Sequence, residues 1–159
     1  MQAELLDQVR QVTPAFFEQL IIDLVIAMGY GTAHQPGQTL GQSGDKGVDG
    51  VINQDPLGVD QIYLQAKRYA ANNTVGSNQI RDFYDALNLK RAQKGIFITT
   101  SSYTHSAIDT AHQFSSRIVL IDGGQLTRLM LQHNIGCRSK ATFTLKKLDE
   151  DYFDADNRM

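Results

Sequence analysis

Between residues 62 and 133 the apolar spacing of the chain alternates between two periods. Residues 62–68, 95–100 and 117–122 read with the period of two that belongs to strands. Residues 78–92, 104–114 and 125–133 instead place apolar side chains three and four apart, along one face of a helix. Strands joined through helices run parallel, because parallel neighbours need a long crossover, and a parallel sheet has to be covered on both faces. This order excludes all-helical and all-β architectures and predicts an α/β fold.

The first third completes the pattern. Residues 48–53 read as a further strand, and Asp55-Pro56-Leu57-Gly58 is a turn signal that makes 48–53 and 62–68 an antiparallel hairpin. Residues 3–12 carry Leu5, Leu6, Val9 and Val12 at helical spacing. Thr13-Pro14 then supplies an N-cap and a proline at the first helical position. The helix that follows turns Phe17, Leu20, Ile21, Leu24, Val25 and Met28 inward, and Gly29 with Gly31 stops it. Residues 32–47 are too poor in apolar side chains for more than a weak strand and a loop. The expected whole is an α/β sandwich with a central mixed sheet of four to five strands flanked by helices.

At 159 residues, 42% hydrophobic and 20% charged, the chain is composed as one globular domain. No apolar run approaches the roughly 20 residues of a membrane span. Met1-Gln2-Ala3-Glu4 lacks the basic start of a signal peptide. A soluble, cytoplasmic chain with no membrane partner is expected. The single cysteine, Cys137, excludes an intrachain disulfide and a multi-thiol zinc site, and reads as a small buried side chain. The formal charge of -2 is unevenly spread. Asp149, Glu150, Asp151, Asp154 and Asp156 crowd residues 148–159 against Arg158 alone, which leaves residues 1–147 at +2. Lys67-Arg68, Arg81, Lys90-Arg91 and Lys94 either gather into a basic face or lie scattered in solvent.

Chemistry concentrates around the stretch GQSGDKGVDGVI, residues 41–52. A dinucleotide fingerprint needs its glycines between a strand and a helix, and a Walker loop needs Gly-Lys-Ser/Thr opening a helix. These glycines precede a strand, so neither reading holds. The residue they set off is Asp49, between Val48 and Gly50 and close to Gly47, where small neighbours let a ligand approach. The alternative is an Asx-type turn at the hairpin edge. On the next strand the period of two puts Gln65 and Lys67 on one face, with Leu64 and Ala66 on the other. A lysine within an apolar run either pairs with an anion or snorkels to solvent.

In this order Phe16-Phe17-Glu18-Gln19-Leu20, Gly44-Asp45-Lys46-Gly47-Val48-Asp49-Gly50, Gln65-Ala66-Lys67-Arg68, Gly95-Ile96-Phe97-Ile98-Thr99-Thr100-Ser101 and Ile118-Val119-Leu120-Ile121-Asp122-Gly123 resemble the catalytic domain of Mrr-type restriction endonucleases, a branch of the PD-(D/E)xK nuclease superfamily. The resemblance covers about residues 14–136. It implies a restriction-endonuclease-like sheet and a DNA endonuclease of restriction type, with Asp49, Gln65, Lys67 and Glu18 as catalytic residues. The motif proline is replaced by Val48, which costs no ligand. Gln65 replaces a carboxylate, and the branch is expected to supply the missing charge from Glu18 on the first helix of the domain; the alternative for Glu18 is a first-turn acid favoured by the helix dipole. A divalent cation is implied, magnesium with manganese as a substitute, held by Asp49, Glu18 and the backbone carbonyl of Ala66. Lys46, Arg68, Arg81 and Ser101 are the expected DNA contacts.

The organisation expected is a helical lead-in over 1–13, a catalytic domain over 14–147 and an acidic tail over 148–159. Cutting both strands of a duplex calls for two sites, hence a homodimer. A separate DNA-recognition domain is expected as a partner beyond these residues. Two other classes stay open: a catalytically silent DNA-binding or scaffold module on the same fold, and a nucleotide-binding α/β domain, which lacks its glycine loop here.

Overall fold

The computed structural model describes residues 1–31, 38–39, 48–154 and 156. Helix α1 (Gln2–Gln11) is followed by α2 (Pro14–Ala27), whose start is fixed by Thr13: its hydroxyl accepts the Phe16 N–H at 3.1 Å, and Pro14 at the first position has no N–H to satisfy. Strands β1 (Gln38–Thr39), β2 (Gly50–Asn53) and β3 (Gln61–Lys67) come next. Asp55 closes the β2–β3 turn by accepting the N–H groups of Leu57, Val59 and Asp60. The remainder runs α3 (Ser77–Leu89), β4 (Lys94–Thr99), α4 (His105–Gln113), β5 (Arg117–Ile121), α5 (Gly123–Gln132) and the short α6 (Glu150–Phe153).

The five strands form one mixed sheet in the order β1-β2-β3-β4-β5. β1, β2 and β3 pair antiparallel, with Gly50 opposite Leu64 and Ile52 opposite Ile62. β3, β4 and β5 pair parallel, with Gln65 beside Phe97 and Lys67 beside Thr99. Each face of the sheet is covered. Leu5 and Val9 of α1, Phe17, Ile21 and Leu24 of α2, and Leu126 and Met130 of α5 pack on Ile52, Leu64 and Ile98. On the other face Ile80, Phe83 and Leu87 of α3 and Ala107 and Ala111 of α4 pack with Val48, Val75 and Phe97. Gly95 sets the α3 distance, since a Cβ there would stand 2.8 Å from Leu87 Cδ1 and from the Phe83 ring. Leu5 and Val9 of the helical lead-in α1 join the same core cluster as α2 and α5.

Three local expectations shift. α3 ends at Leu89, which is 86% exposed rather than inward, because the chain caps at Lys90 and Arg91 takes a left-handed φ of 54°. α5 begins at Gly123, because Asp122 ends the strand run as an N-cap whose carboxylate accepts the Gln125 N–H at 2.9 Å. Cys137 is half-buried, its thiol 3.7 Å from Met130 O. Among the described residues no helix is long and apolar enough to cross a membrane. Of the region expected as a weak strand and loop, β1 is described and most of the remainder, including Asp45, Lys46 and Gly47, lies outside the described residues.

Candidate active site

The site grows from a break in the pairing of β2 with β3. Asp49 N–H donates to Leu64 O at 2.7 Å, although Gly50 is the residue paired with Leu64. Two residues thus address one, as in a β-bulge, and a bulge re-aims the side chains around it. Val48 drops into the core beneath α3 and α4. The Asp49 carboxylate stays level with the sheet, and its Oδ2 accepts the Ala66 N–H at 2.7 Å. Among the described residues the partner of the Asp49 carboxylate lies on another strand, not in a local Asx turn. Lys67 O is engaged on the β4 side by Thr100 N–H at 3.3 Å and by the Thr99 hydroxyl at 2.9 Å. Neighbouring residues of a strand turn their backbone groups to opposite edges, so the carbonyl of Ala66 lies on the Asp49 edge.

Glu18 sits on α2 at the rim of its buried stripe, lining a small cleft with Ile21, Ile22, Asp49, Gly50, Leu64 and Ala66. It is half-buried and beyond the first turn of the helix, so the helix-dipole alternative has no structural footing. Desolvation holds the Glu18 carboxyl above its ordinary value, the charge of Asp49 pushes it the same way, and Lys67 pulls back. Asp49 is also raised by desolvation, against the Ala66 N–H and Lys67, which favour its charged form. The three groups therefore share one electrostatic neighbourhood.

Gln65 and Lys67 share a face as the period of two requires, and with Gln79, Asp82 and Phe83 they line an open cleft of about 420 Å³ under α3. This is the face opposite Glu18. Gln65 is 3% exposed, and its Oε1 has no hydrogen-bond partner among the described residues. A buried acceptor without a donor calls for a water or a cation. Two mutually repelling carboxylates and a carbonyl on the same edge fit a hard divalent cation, which takes one or two carboxylates and fills its shell with water, whereas the orphaned amide oxygen, on the opposite face, suits a water. Among the described residues no group of three or more His, Cys, Asp or Glu is assembled to hold a metal.

The expected DNA contacts divide. Arg81 is exposed on the first turns of α3, held by Asn78 Oδ1 at 3.1 Å. Arg68 is half-buried and donates to Arg10 O at the end of α1 at 2.6 Å, while Arg10 donates to Thr100 O at 2.7 Å. Ser101 is 7% exposed and donates to Asn73 O at 2.8 Å. The structure thus commits Arg68 and Ser101 to the protein's own backbone. Lys46 lies outside the described residues.

Sequence reasoning missed Thr99. Fully buried, its hydroxyl donates to Lys67 O and accepts the Ser101 N–H at 3.1 Å, which fixes the backbone under the lysine. Thr100 does the same for Tyr69, accepting its N–H at 2.8 Å and donating to its carbonyl at 2.6 Å. The signal available was a pair of threonines closing an apolar strand.

A bulged acid beside a Gln-x-Lys strand, on a mixed sheet between two helical layers, defines the restriction-endonuclease-like class of fold. Solved structures agree: the DNA modification-dependent restriction endonuclease AspBHI superposes with a TM-score of 0.69 at 19% identity, over 86% of this chain and 36% of that one. The MspJI restriction endonuclease, solved in complex with a 27-mer oligonucleotide, gives 0.64 at 25% identity over 85% and 33%. The chain belongs to the restriction endonuclease family, whose Mrr catalytic-domain model matches residues 9–130. It is 41% identical over 151 residues to the type IV methyl-directed restriction enzyme EcoKMrr of Escherichia coli (strain K12), covering 95% of this chain and 48% of that protein. It spans about half the length of that relative.

Proposed function

We propose that this chain is the catalytic domain of a divalent-metal-dependent DNA endonuclease that hydrolyses phosphodiester bonds in modified or foreign DNA. The observation that carries the reading is the shared neighbourhood of Glu18, Asp49 and Lys67, two acids held above their ordinary values beside one ammonium. The names of the relatives, methyl-directed for EcoKMrr and modification-dependent for AspBHI, support the substrate class.

Glu18, Asp49 and the Ala66 carbonyl would hold magnesium, or manganese in its place. The bound ion supplies Lewis acidity, which acidifies water and neutralises phosphate oxygens. Lys67 acts as a point charge on the attacking water or on the charge that develops at phosphorus, an effect of about 10²–10³ in rate. Gln65, whose Oε1 has no partner among the described residues, orders a water in the cleft beside Lys67. Arg81 and Lys46 are the proposed phosphate contacts, and a separate domain is the proposed reader of the modification. For cleavage of both strands the proposed arrangement is two copies related by a two-fold axis.

The test is incubation with supercoiled plasmid, with and without magnesium, beside Lys67→Ala. Nicked and linear products from the wild type in magnesium alone, and none from the variant, are expected. A silent DNA-binding module has one observation in its favour, the missing motif carboxylate at Gln65. Plasmid retardation without cleavage by both proteins would establish it instead.

A further inference from the structure

β5 ends the sheet, and its outer edge has no neighbour among the described residues. Arg117 N–H bonds to Gln93 O on the β4 side, so Ile118 and Leu120 turn their N–H and C=O groups outward. Along this edge runs a groove of about 710 Å³ lined by Ile108, Phe114, Ile118 and Leu120. Val119 beside it is 42% exposed. The groove also carries Ser115, Ser116, Asp122 and Gln125, and an unpaired strand edge of this kind is a template for another strand.

Beyond α5, every residue from 138 to 150 is exposed, and residues 138–148 make no backbone hydrogen bond among the described residues. Within them Ala141-Thr142-Phe143-Thr144-Leu145 alternates apolar and β-branched polar side chains, as a half-buried strand does. Phe143 is 91% and Leu145 98% exposed. The alternating run is as long as β5, at 5 residues.

We propose that residues 141–145 of one copy pair with β5 of a second copy, laying Phe143 and Leu145 in its groove, and that the exchange is reciprocal across a two-fold axis. The chain's own segment is ill placed to do this. α3 and α4 cover one face as the strands advance from β3 to β5, whereas α5 lies on the other face. A parallel strand added next to β5 in the same copy would close a left-handed crossover, a hand found in only about 2% of such connections. An antiparallel one would have to start at the far end of β5. α5 runs back from that end by about 15 Å, and the residues from Cys137 to Ala141 span at most about 14 Å while also passing from the helical layer to the sheet.

The inference rests on the two-copy reading above, and its test leaves cleavage aside. Sedimentation velocity and amide hydrogen exchange are measured on the full chain and on Phe143→Ser/Leu145→Ser, a change confined to exposed side chains. The expected result is a wild-type dimer with slow exchange at Ile118 and Leu120, and a folded monomeric variant in which that protection is lost. A dimer in both proteins with fast exchange at those amides overturns the strand exchange and leaves the two-copy reading standing. A wild-type monomer overturns both, and a monomer with slow exchange assigns the segment to its own β5.

Discussion

Glu18 and Asp49 are ionisable groups whose charged forms the fold disfavours. Their folded values lie above the ordinary carboxylate values, so the stability they contribute is complete at pH below those values and is lost as pH rises through the raised ones. The melting temperature of the metal-free protein should therefore carry a downward component from acid toward neutral pH that shrinks in saturating magnesium. Scanning calorimetry across pH checks this, and both Glu18→Gln and Asp49→Asn should flatten the slope. The same pair tests ligand identity. Glu18→Gln should weaken magnesium binding about as much as Asp49→Asn, read by thermal shift, and an unchanged titration would remove Glu18 from the site. Asparagine is the informative change at Asp49, because alanine would also strip the Ala66 N–H of its acceptor, which costs about 1–3 kcal/mol when the donor is buried. Asp49, Gln65 and Lys67 were legible from glycine flanks and the period of two. The Asp49–Ala66 bond was not, since it joins groups 17 residues apart through a bulge that no local pattern marks.

Element types followed the sequence period closely, and the departures lie at the ends. Capping decides ends, and a cap is a matter of one side chain: Asp122 looked like the close of a strand because its apolar run ends there, yet it opens α5. Leu89 had the right spacing for the core, but the helix stops under it. The role of Gly95 was likewise hidden, since a glycine opening a strand gives no sign of the helix above it. Gly95→Ala should destabilise the protein by about 1–3 kcal/mol through overpacking against Phe83 and Leu87. Urea unfolding measures this, and a variant as stable as the wild type would mean that α3 yields without cost.

At the scale of the whole molecule, the hairpin and the repeating strand–helix units were readable, and with them the mixed sheet. That Gln65 and Lys67 share a face was readable as well, but which helical layer covers that face was not, and Glu18 and Gln65 lie on opposite sides of β3. β3 is the strand on which the antiparallel and parallel halves of the sheet meet. Lys67 belongs to the strand that both halves share, whereas both acids come from the antiparallel side, one on α2 and one just before β2. Local opening of that side would separate the acids from the lysine while the parallel half stands, and partial openings need less free energy than global unfolding. Cleavage should accordingly disappear at lower urea than the far-ultraviolet dichroism of the helices, and coincident curves would show the two halves to be one cooperative unit. A seam through the centre of the sheet would make the proposed cleavage more fragile than the fold, so mild stress would silence it reversibly before the chain unfolds.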